Sequence, residues 1–247
     1  MRNPVVSAPA ITVNALSFSW GNQPVCQQLS LSLRGGKTTA LLGRSGSGKS
    51  TLLRLIAGLL LPAAGDVTSS DGLPLPGRIS WMGQQDLLYP WLTARENVML
   101  AARLNGEKAD GGRADELLEQ VGLGGLAEAK PAALSGGMRQ RVALARTLYP
   151  QRPVVLMDEP FATLDVLTKL SLQTVTANLL RDKTVLLVTH DPLEACRMAD
   201  DIGVLTGNPL RYEPFGAPEA APPREVSDAG VLHQQGRLFS RLSRDER

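Results

Sequence analysis

One glycine-rich stretch, Gly43-Arg44-Ser45-Gly46-Ser47-Gly48-Lys49-Ser50-Thr51, constrains the fold of this chain more than any other feature. It follows the apolar run 38–42 and precedes residues 52–57, which continue it as a helix. A strand, a GxxxxGK[ST] loop and a helix in this order predict a phosphate-binding loop, in which glycines turn backbone N–H groups inward around a phosphate. Lys49 would then supply a cation to the phosphates, and Ser50 a hydroxyl to Mg²⁺. The alternative, a glycine-rich turn that only caps a helix, is disfavoured by the flanking strand and helix.

Size and charge limit the classes of protein that this chain can be. Its 247 residues suit one large domain, or one core with a smaller inserted lobe. Hydrophobic residues make up 43% and charged residues 20%, as in ordinary globular proteins. The net charge is only +2, and residues 211–247 carry as many acidic residues as arginines. We therefore expect no nucleic-acid partner.

The cysteines and the apolar runs indicate the compartment. Cys26 and Cys196 match no metal-binding spacing, and residues 1–10 lack a charged segment followed by an apolar core. We interpret both cysteines as reduced thiols in a cytoplasmic protein. The most apolar run, 52–61, stops at Pro62 and is well below the roughly 20 residues that span a bilayer. The chain is not expected to cross a membrane by itself.

Hydrophobic periodicity predicts an α/β fold. Residues 11–18 and 29–33 alternate apolar and polar side chains on either side of the turn-like residues 21–24, which predicts an antiparallel β edge. Short, continuously apolar runs are typical of strands buried on both faces of a parallel sheet, and they occur at 38–42, 154–157, 184–188 and 202–205. Helical segments fall between several of these runs, as an α/β architecture requires.

Residues 86–150 differ from the rest of the chain. Helix-like stretches at 93–104 and 113–121 are separated by glycine-containing breaks. We predict a helical lobe inserted into an α/β core that consists of residues 1–85 and 151–207.

Residues 208–247 are predicted to be a C-terminal extension of the same nucleotide-binding domain. Its Pro- and Ala-rich run 214–223 is interpreted as an extended linker, and what remains is too short for a further domain. The chain has no internal repeat, so it encodes one nucleotide site.

Polar residues follow two of the predicted buried strands. Asp158 and Glu159 end the run that begins at residue 154, and His190 follows the run 184–188. Ligands bind at the carboxyl ends of parallel strands. We expect Asp158 to hold the magnesium shell, Glu159 to orient or deprotonate the attacking water, and His190 to contact the γ-phosphate. Without the phosphate-binding loop, a solvated acidic pair and an ordinary loop histidine would be the better interpretation.

The octapeptide Leu134-Ser135-Gly136-Gly137-Met138-Arg139-Gln140-Arg141 predicts the start of a helix that faces an anion. Ser135 is a good N-cap, and the positions that follow it at helical spacing are apolar, namely Met138, Val142, Ala145 and Leu148. A free helix N-terminus attracts negative charge. By itself, this segment would be interpreted only as a turn that begins a helix.

Together, these motifs resemble the nucleotide-binding subunit of ATP-binding cassette (ABC) transporters over about residues 11–205. The resemblance implies a P-loop NTPase (RecA-like) core with an antiparallel β subdomain and an inserted helical subdomain, and it implies ATP and Mg²⁺ as cofactors. Residues 134–140 match the family signature, in which Ser135 and Gly137 contact the γ-phosphate held by the loop of a second subunit. The resemblance thus implies a head-to-tail dimer of this chain.

Three more positions follow from the resemblance. Gln84 matches the glutamine that links the magnesium site to the inserted lobe, with Gln85 as the adjacent alternative. Trp20 matches the aromatic residue that stacks on adenine, although a Trp at a strand end is more often a packing residue. Asp165 matches an aspartate of the dimer contact. Residues 162–165 depart from the usual Ser-Ala-Leu-Asp by reading Ala-Thr-Leu-Asp, so the serine that makes an interface hydrogen bond in the family is replaced, while Glu159 and Asp165 are kept.

The resulting site has three groups of residues. The catalytic residues are Glu159, His190 and Gln84; the metal ligands are Ser50, Gln84 and Asp158; the nucleotide contacts are Gly43, Arg44, Ser45, Gly46, Ser47, Gly48, Lys49, Ser50, Thr51, Trp20, Ser135, Gly136, Gly137 and Asp165.

The resemblance implies an ATPase that powers transport through a separate membrane permease docked near residues 84–91, at the cytoplasmic face of the inner membrane. Residues 86–93 are most similar to importers of the nitrate, sulfonate and taurine group, which includes uptake systems for pyrimidine precursors of thiamine. Such importers use an extracytoplasmic substrate-binding protein. The alternatives are the ATPase of an exporter or a soluble, non-transport ABC protein. A P-loop GTPase is disfavoured because the chain lacks an Asn-Lys-x-Asp motif.

Overall fold

The structure is a computed structural model that describes residues 8–44 and 46–244. Its strands are β1 (Ile11–Trp20), β2 (Gln23–Leu33), β3 (Thr38–Gly43), β4 (Ala64–Ser69), β5 (Ile79–Met82), β6 (Val154–Asp158), β7 (Thr184–Thr189), β8 (Asp201–Thr206) and β9 (Arg211–Phe215). Its α-helices are α1 (Lys49–Ile56), α2 (Ala94–Val98), α3 (Leu100–Leu104), α4 (Gly111–Gln120), α5 (Gly136–Leu148), α6 (Val166–Leu179), α7 (Pro192–Met198) and α8 (Ala229–Arg244). Short 3₁₀ turns lie at Gly124–Leu126 and Pro131–Ala133.

The strands form two sheets. β2, β1 and β4 make an antiparallel sheet, which confirms the predicted β edge. The larger sheet has the order β5-β6-β7-β3-β8-β9 and is parallel except for β9. Every residue of β6 and β7 is buried, as expected for strands covered on both faces. The parallel arrangement brings the carboxyl ends of β5, β6, β7 and β3 to one edge.

Helices α2 to α5 lie between β5 and β6 in the chain, and α2, α4 and α5 pack on one another. Their buried side chains, among them Val98, Leu118 and Leu144, share one hydrophobic cluster with Met157 of β6. The continuous helix predicted over 93–104 is wrong in one respect, because α2 and α3 meet at Met99, whose backbone is at ψ −2°. The capping box of Thr93 and Glu96 begins α2.

The C-terminal extension differs from the predicted linker. The run 214–223 begins inside β9, where Pro214 pairs with Gly203 of β8. A proline is accepted there because β9 is an edge strand and one side of it makes no ladder. Beyond the strand, buried Arg224 donates to the carbonyl oxygens of Cys196 and Ala199, and α8 packs on α7.

Cys26 and Cys196 are buried and free, as predicted for reduced thiols. Burial raises the pKa of the Cys196 thiol to about 11, so it is protonated at neutral pH. Among the residues that the structure describes, no helix has both the length and the apolar composition of a membrane span.

Candidate nucleotide site

The phosphate-binding loop joins β3, which ends at Gly43, to α1, which begins at Lys49. Gly48 is the N-cap of α1 with φ at 105°, a left-handed conformation that favours glycine. A Cβ atom at Gly48 would also lie 2.6 Å from Val25 Cγ1, so both conformation and space require glycine. Ser45, which was predicted to bind nucleotide, lies outside the described residues.

The loop contains a buried cation and an unpaired hydroxyl. Lys49 is buried, and its Nζ donates to the carbonyl oxygens of Gly43 at 2.8 Å and Arg44 at 2.7 Å. Burial lowers the pKa of Lys49, and the charges of Glu159 and Asp158 oppose this effect. The hydroxyl of Ser47 is buried with no hydrogen-bond partner among the described residues. A buried polar atom without a partner is rare in a native fold and fits a loop built to bind a phosphate.

The ends of β6 and α1 bring two oxygen ligands together. Asp158 is only 4% exposed, and the hydroxyl of Ser50 donates to it. Burial raises the pKa of Asp158, while this hydrogen bond and the charge of Lys49 lower it. A carboxylate and a hydroxyl are oxygen ligands of the kind that Mg²⁺ prefers. The predicted ligand pair therefore fits a magnesium ion.

Glu159, the residue that follows β6, has a left-handed backbone conformation. Its φ is 48°, an uncommon value for a residue with a side chain, and its N–H donates to Val188 O at 2.8 Å. Its carboxylate Oε2 lies 3.2 Å from Nδ1 of His190, the residue that follows β7. The Glu159 side chain is 11% exposed and that of His190 is 56% exposed. Strain of this kind persists where the surrounding structure determines the conformation, and it is common at active sites.

Two adjoining cavities meet at the loop. The larger one, of about 560 Å³, is lined by Trp20, and the smaller one, of about 230 Å³, by Lys49, Ser50, Gln84 and Glu159. Both cavities are also lined by Gly46, Gly48 and Thr51. Together they have the form of a nucleotide site, with an aromatic ring at one end and charged groups at the other.

The cavity lining distinguishes Gln84 from Gln85, and the contacts of Trp20 show which of its two predicted roles fit. Gln84 lines the smaller cavity, whereas Gln85 lines only a neighbouring groove beside Asp86. The indole Nε1 of Trp20 donates to Thr51 Oγ1 at 3.4 Å, and its ring packs edge-on against Phe18. Trp20 therefore packs against its neighbours and also lines the cavity, so both interpretations of this residue fit the structure.

Four predicted residues lie away from these cavities within the chain, whereas Gly43 and His190, which are not part of the described lining either, contact the lining residues Lys49 and Glu159. Ser135 is the exposed N-cap of α5, and its hydroxyl accepts from Met138 N at 3.2 Å, while Met138 Sδ accepts from Ser135 N at 3.4 Å. Asp165 is the N-cap of α6, and its hydrogen bond from Thr168 lowers its pKa. Ser135, Gly136, Gly137 and Asp165 are absent from the described lining of both cavities. Each is exposed or half-buried.

Some residues at the site were not predicted from the sequence. Thr206, the last residue of β8, and Asn208, two positions later, line the larger cavity together with Trp20. Lys169 of α6 contacts Asp191, the residue after His190. The sequence had no sign of the first pair because the position of β8 beside β3 depends on the order of strands in the sheet.

Comparisons with known proteins agree with this geometry. The family model described as ABC transporter matches residues 26–162. An uncharacterized ABC transporter ATP-binding protein of Haemophilus influenzae is 39% identical over 96% of this chain and all of its own length. The aliphatic sulfonates import ATP-binding protein SsuB 1 of Rhodococcus jostii is 40% identical over 97% of this chain and 96% of its own.

A solved structure has the same fold. It is the dimeric, post-hydrolysis state of the ATP-binding cassette MJ0796 bound to ADP and Pi. The two chains superpose with a TM-score of 0.73 at 30% identity, over 84% of this chain and 99% of that one. The family match spans the phosphate-binding loop, the signature segment and both carboxylates after β6. This chain belongs to the ABC transporter family, as an ATP-binding subunit that hydrolyses ATP to drive transport.

Proposed function

We propose that this chain is the energy-coupling subunit of an importer for a small polar solute, and that it acts as a dimer on a separate permease at the cytoplasmic face of the membrane. The observation that carries the proposal is the small cavity where Lys49, Ser50, Gln84 and Glu159 meet. Several relatives of similar length are named as sulfonate importers, which favours an aliphatic sulfonate or a related anion as the solute. An extracytoplasmic binding protein would deliver it.

The geometry supports a separate task for each residue around the γ-phosphate. Glu159 would accept a proton from the attacking water, because its carboxylate projects into the cavity that holds Lys49. His190, whose Nδ1 lies 3.2 Å from Glu159, would orient that carboxylate and donate to the γ-phosphate. Ser50, Gln84 and Asp158 would hold Mg²⁺, which neutralises developing charge on the phosphates when it is bound.

The position of the signature segment supports a site completed by a second copy. Ser135 and Gly136 are exposed at the N-terminus of α5, where unpaired N–H groups favour an anion. Val166 and Leu167, directly after Asp165, are large apolar side chains that are 72% and 79% exposed. Such exposed apolar residues beside a predicted contact indicate an interface. The MJ0796 cassette is itself titled as dimeric.

Gly137→Ala tests this assignment, because no contact among the described residues requires glycine there. An added Cβ atom would lie 3.4 Å from Leu164 Cδ2, an ordinary contact, and alanine favours a helix over glycine by about 1 kcal/mol. We expect the variant to unfold at or above the wild-type temperature and to lose ATP hydrolysis by at least about tenfold, because the methyl group would meet the partner's nucleotide. Thermal unfolding and phosphate release measure both effects. Wild-type turnover would place the partner's nucleotide elsewhere.

A second exposed surface is proposed to receive the permease. Two arginines of α5 bind the segment after Gln84: Arg139 Nε lies 3.0 Å from Asp86 Oδ2, and Arg146 Nη1 donates to Leu87 O at 2.8 Å. The segment thus lies firmly on α5 while Leu87, Tyr89 and Trp91 stay exposed. Exposed aromatic side chains on a rigid support are typical of interface anchors.

The experiment that tests the transport role is gentle purification of the tagged chain from its native membranes, followed by mass spectrometry. A polytopic permease should co-purify, and the binding protein encoded with it can be screened for sulfonates. Recovery of only soluble partners or nucleic acid would contradict the transport role, and a permease that exports would contradict the direction.

The same purification, with substitutions, tests the docking surface. Trp91→Ser should lower permease recovery by at least about tenfold, because a buried Trp anchor commonly contributes about 2 kcal/mol or more. Phe239→Ser on α8 is the matched control, since Phe239 is 64% exposed and Trp91 65%. Equal recovery of permease with both variants would exclude this surface.

A further inference from the structure

A cluster of charged side chains lies beside His190, and the hydrolysis site does not include it. Lys169, in the first turn of α6, places Nζ 2.6 Å from Asp191 Oδ2 and 3.0 Å from Glu194 Oε2. Asp191 is the N-cap of α7, and Glu194 lies in its first turn. The lysine thus joins two helices through a pair of ionic contacts.

This cluster is costly to bury. The side chain of Glu194 is 2% exposed, and its Oε1 has no hydrogen-bond partner among the described residues. Burial lowers the pKa of Lys169, but the charges and hydrogen bonds of Glu194 and Asp191 outweigh it, so the pKa is raised and the ammonium stays charged at neutral pH. Replacing buried ion pairs by apolar residues is often neutral or stabilising. Stability alone is therefore a weak reason for these charges.

The residue fixed by Lys169 is the neighbour of His190. Asp191 Oδ1 accepts from Leu193 N at 2.9 Å, and Asp191 N donates to Thr189 Oγ1 at 3.0 Å. Thr189 and Asp191, which flank His190 in the chain, are thereby anchored to each other. His190 itself is exposed, so the direction of its side chain toward Glu159 depends on these neighbours.

Lys169 is also close to the proposed subunit contact. It follows Asp165, the N-cap of α6, by one helical turn, and its N–H donates to Asp165 O at 2.9 Å. A displacement of the α6 N-terminus would therefore move the Lys169 backbone. Because the Lys169 side chain is paired with Asp191, the same displacement would move Asp191. The exposed Val166 and Leu167 lie between Asp165 and this lysine.

We propose that Lys169 is a positioning residue that ties the start of α6, where a second copy of the chain makes contact, to the loop that aims His190 at Glu159. This inference rests on the proposed role of His190 and on the proposed dimer contact at the start of α6. In physical terms, an ion pair between two helices lets the closed dimer hold the histidine in its working geometry.

The test uses the full-length chain and a background that avoids an unpaired buried charge. Glu194→Gln removes the buried carboxylate but keeps the contact of Lys169 with Asp191, and it is the control. Lys169→Met is then added to Glu194→Gln, and Lys169→Arg is made as the conservative variant. For each protein, kcat and KM for ATP are measured together with the thermal unfolding midpoint.

We expect Glu194→Gln to retain kcat within about twofold. Adding Lys169→Met should lower kcat about tenfold or more and leave KM for ATP little changed, because even a small misplacement of a catalytic group slows the reaction. Lys169→Arg, which keeps the positive charge, should retain the kcat that Lys169→Met loses. A general loss of structure would instead lower the unfolding midpoint and change KM too. A kcat for the Lys169→Met protein within about twofold of its Glu194→Gln parent would overturn the proposal.

His190→Ala separates this inference from the role on which it depends. If Lys169 acts through His190, adding Lys169→Met to a Glu194→Gln, His190→Ala protein should slow it no further, because coupled residues are not additive. A further decrease would overturn the path through His190. Wild-type kcat in His190→Ala alone would contradict the role of His190 itself, whatever the result at Lys169.

Discussion

Glu159→Gln is expected to bind ATP as tightly as the wild-type chain and to hydrolyse it at least about 100-fold more slowly, the loss typical of a removed general base. Glutamine has the same size and keeps the backbone N–H bond to Val188 O, so the strained turn with φ at 48° is retained. Only the proton acceptor is lost. Equilibrium binding of ATP and single-turnover phosphate release measure the two properties separately.

The same variant should accumulate as an ATP-bound dimer, because a site that cannot hydrolyse ATP cannot reopen. Size-exclusion chromatography with and without ATP detects this state. Glu219→Gln, an exposed carboxylate of the C-terminal extension, is the matched control and should behave as wild type. Wild-type turnover by Glu159→Gln would remove Glu159 from its role as the base.

Ser135→Arg should abolish hydrolysis at the nucleotide site of the partner and leave the site of its own chain intact. This can be measured in a fused dimer that combines Ser135→Arg with Glu159→Gln. When the two changes are in different halves, one site combines the intact Glu159 of the half that carries Ser135→Arg with the intact Ser135 of the other half. That site should work. When both changes are in one half, each site has one defect, and we expect turnover to fall by at least about 100-fold further.

A site completed within one chain predicts the opposite pattern, with activity retained when both changes share one half. Loss of the helix cap could also disturb α5, since replacing an N-cap costs about 0.5–2 kcal/mol. Thr93→Arg removes the equivalent capping box of α2 in the same lobe and is the matched control. It should lower the unfolding midpoint to a similar extent without the dependence on which half carries the change.

Ser135 has one role that local sequence predicts, the N-cap of α5, and one that depends on a second molecule, its contact with nucleotide. The N-cap of α5 follows from local chemistry, because a serine hydroxyl competes well for the free N–H of Met138. The buried strands β6 and β7 were equally accessible, since short apolar runs favour burial on both faces. What the exposed Ser135 faces depends on a second molecule, and a single chain has no local signal for it beyond the family resemblance.

Long-range contacts give several residues a role that their neighbours in the sequence do not predict. Residue 214 is a proline in an Ala- and Pro-rich run, which is typical of a linker, yet β8 offers it an edge position in a sheet. Lys169 was not singled out from the sequence, because both of its carboxylate partners are at least 22 positions away in the chain. Pairings of this kind depend on how helices pack.

The sequence by itself determined the parts of this protein that arise within a few residues of one another: the phosphate-binding loop with its glycines, the acidic pair after β6 and the capped start of α5. Hydrogen bonds and backbone preferences act over such distances, so the residue types are sufficient. Only the tertiary structure decided that β6, β7 and β3 are neighbours, that Glu159 meets His190 at 3.2 Å, and that Lys169 lies against Asp191. These contacts follow from burial of apolar surface between distant segments, which many sequences satisfy and no short motif records.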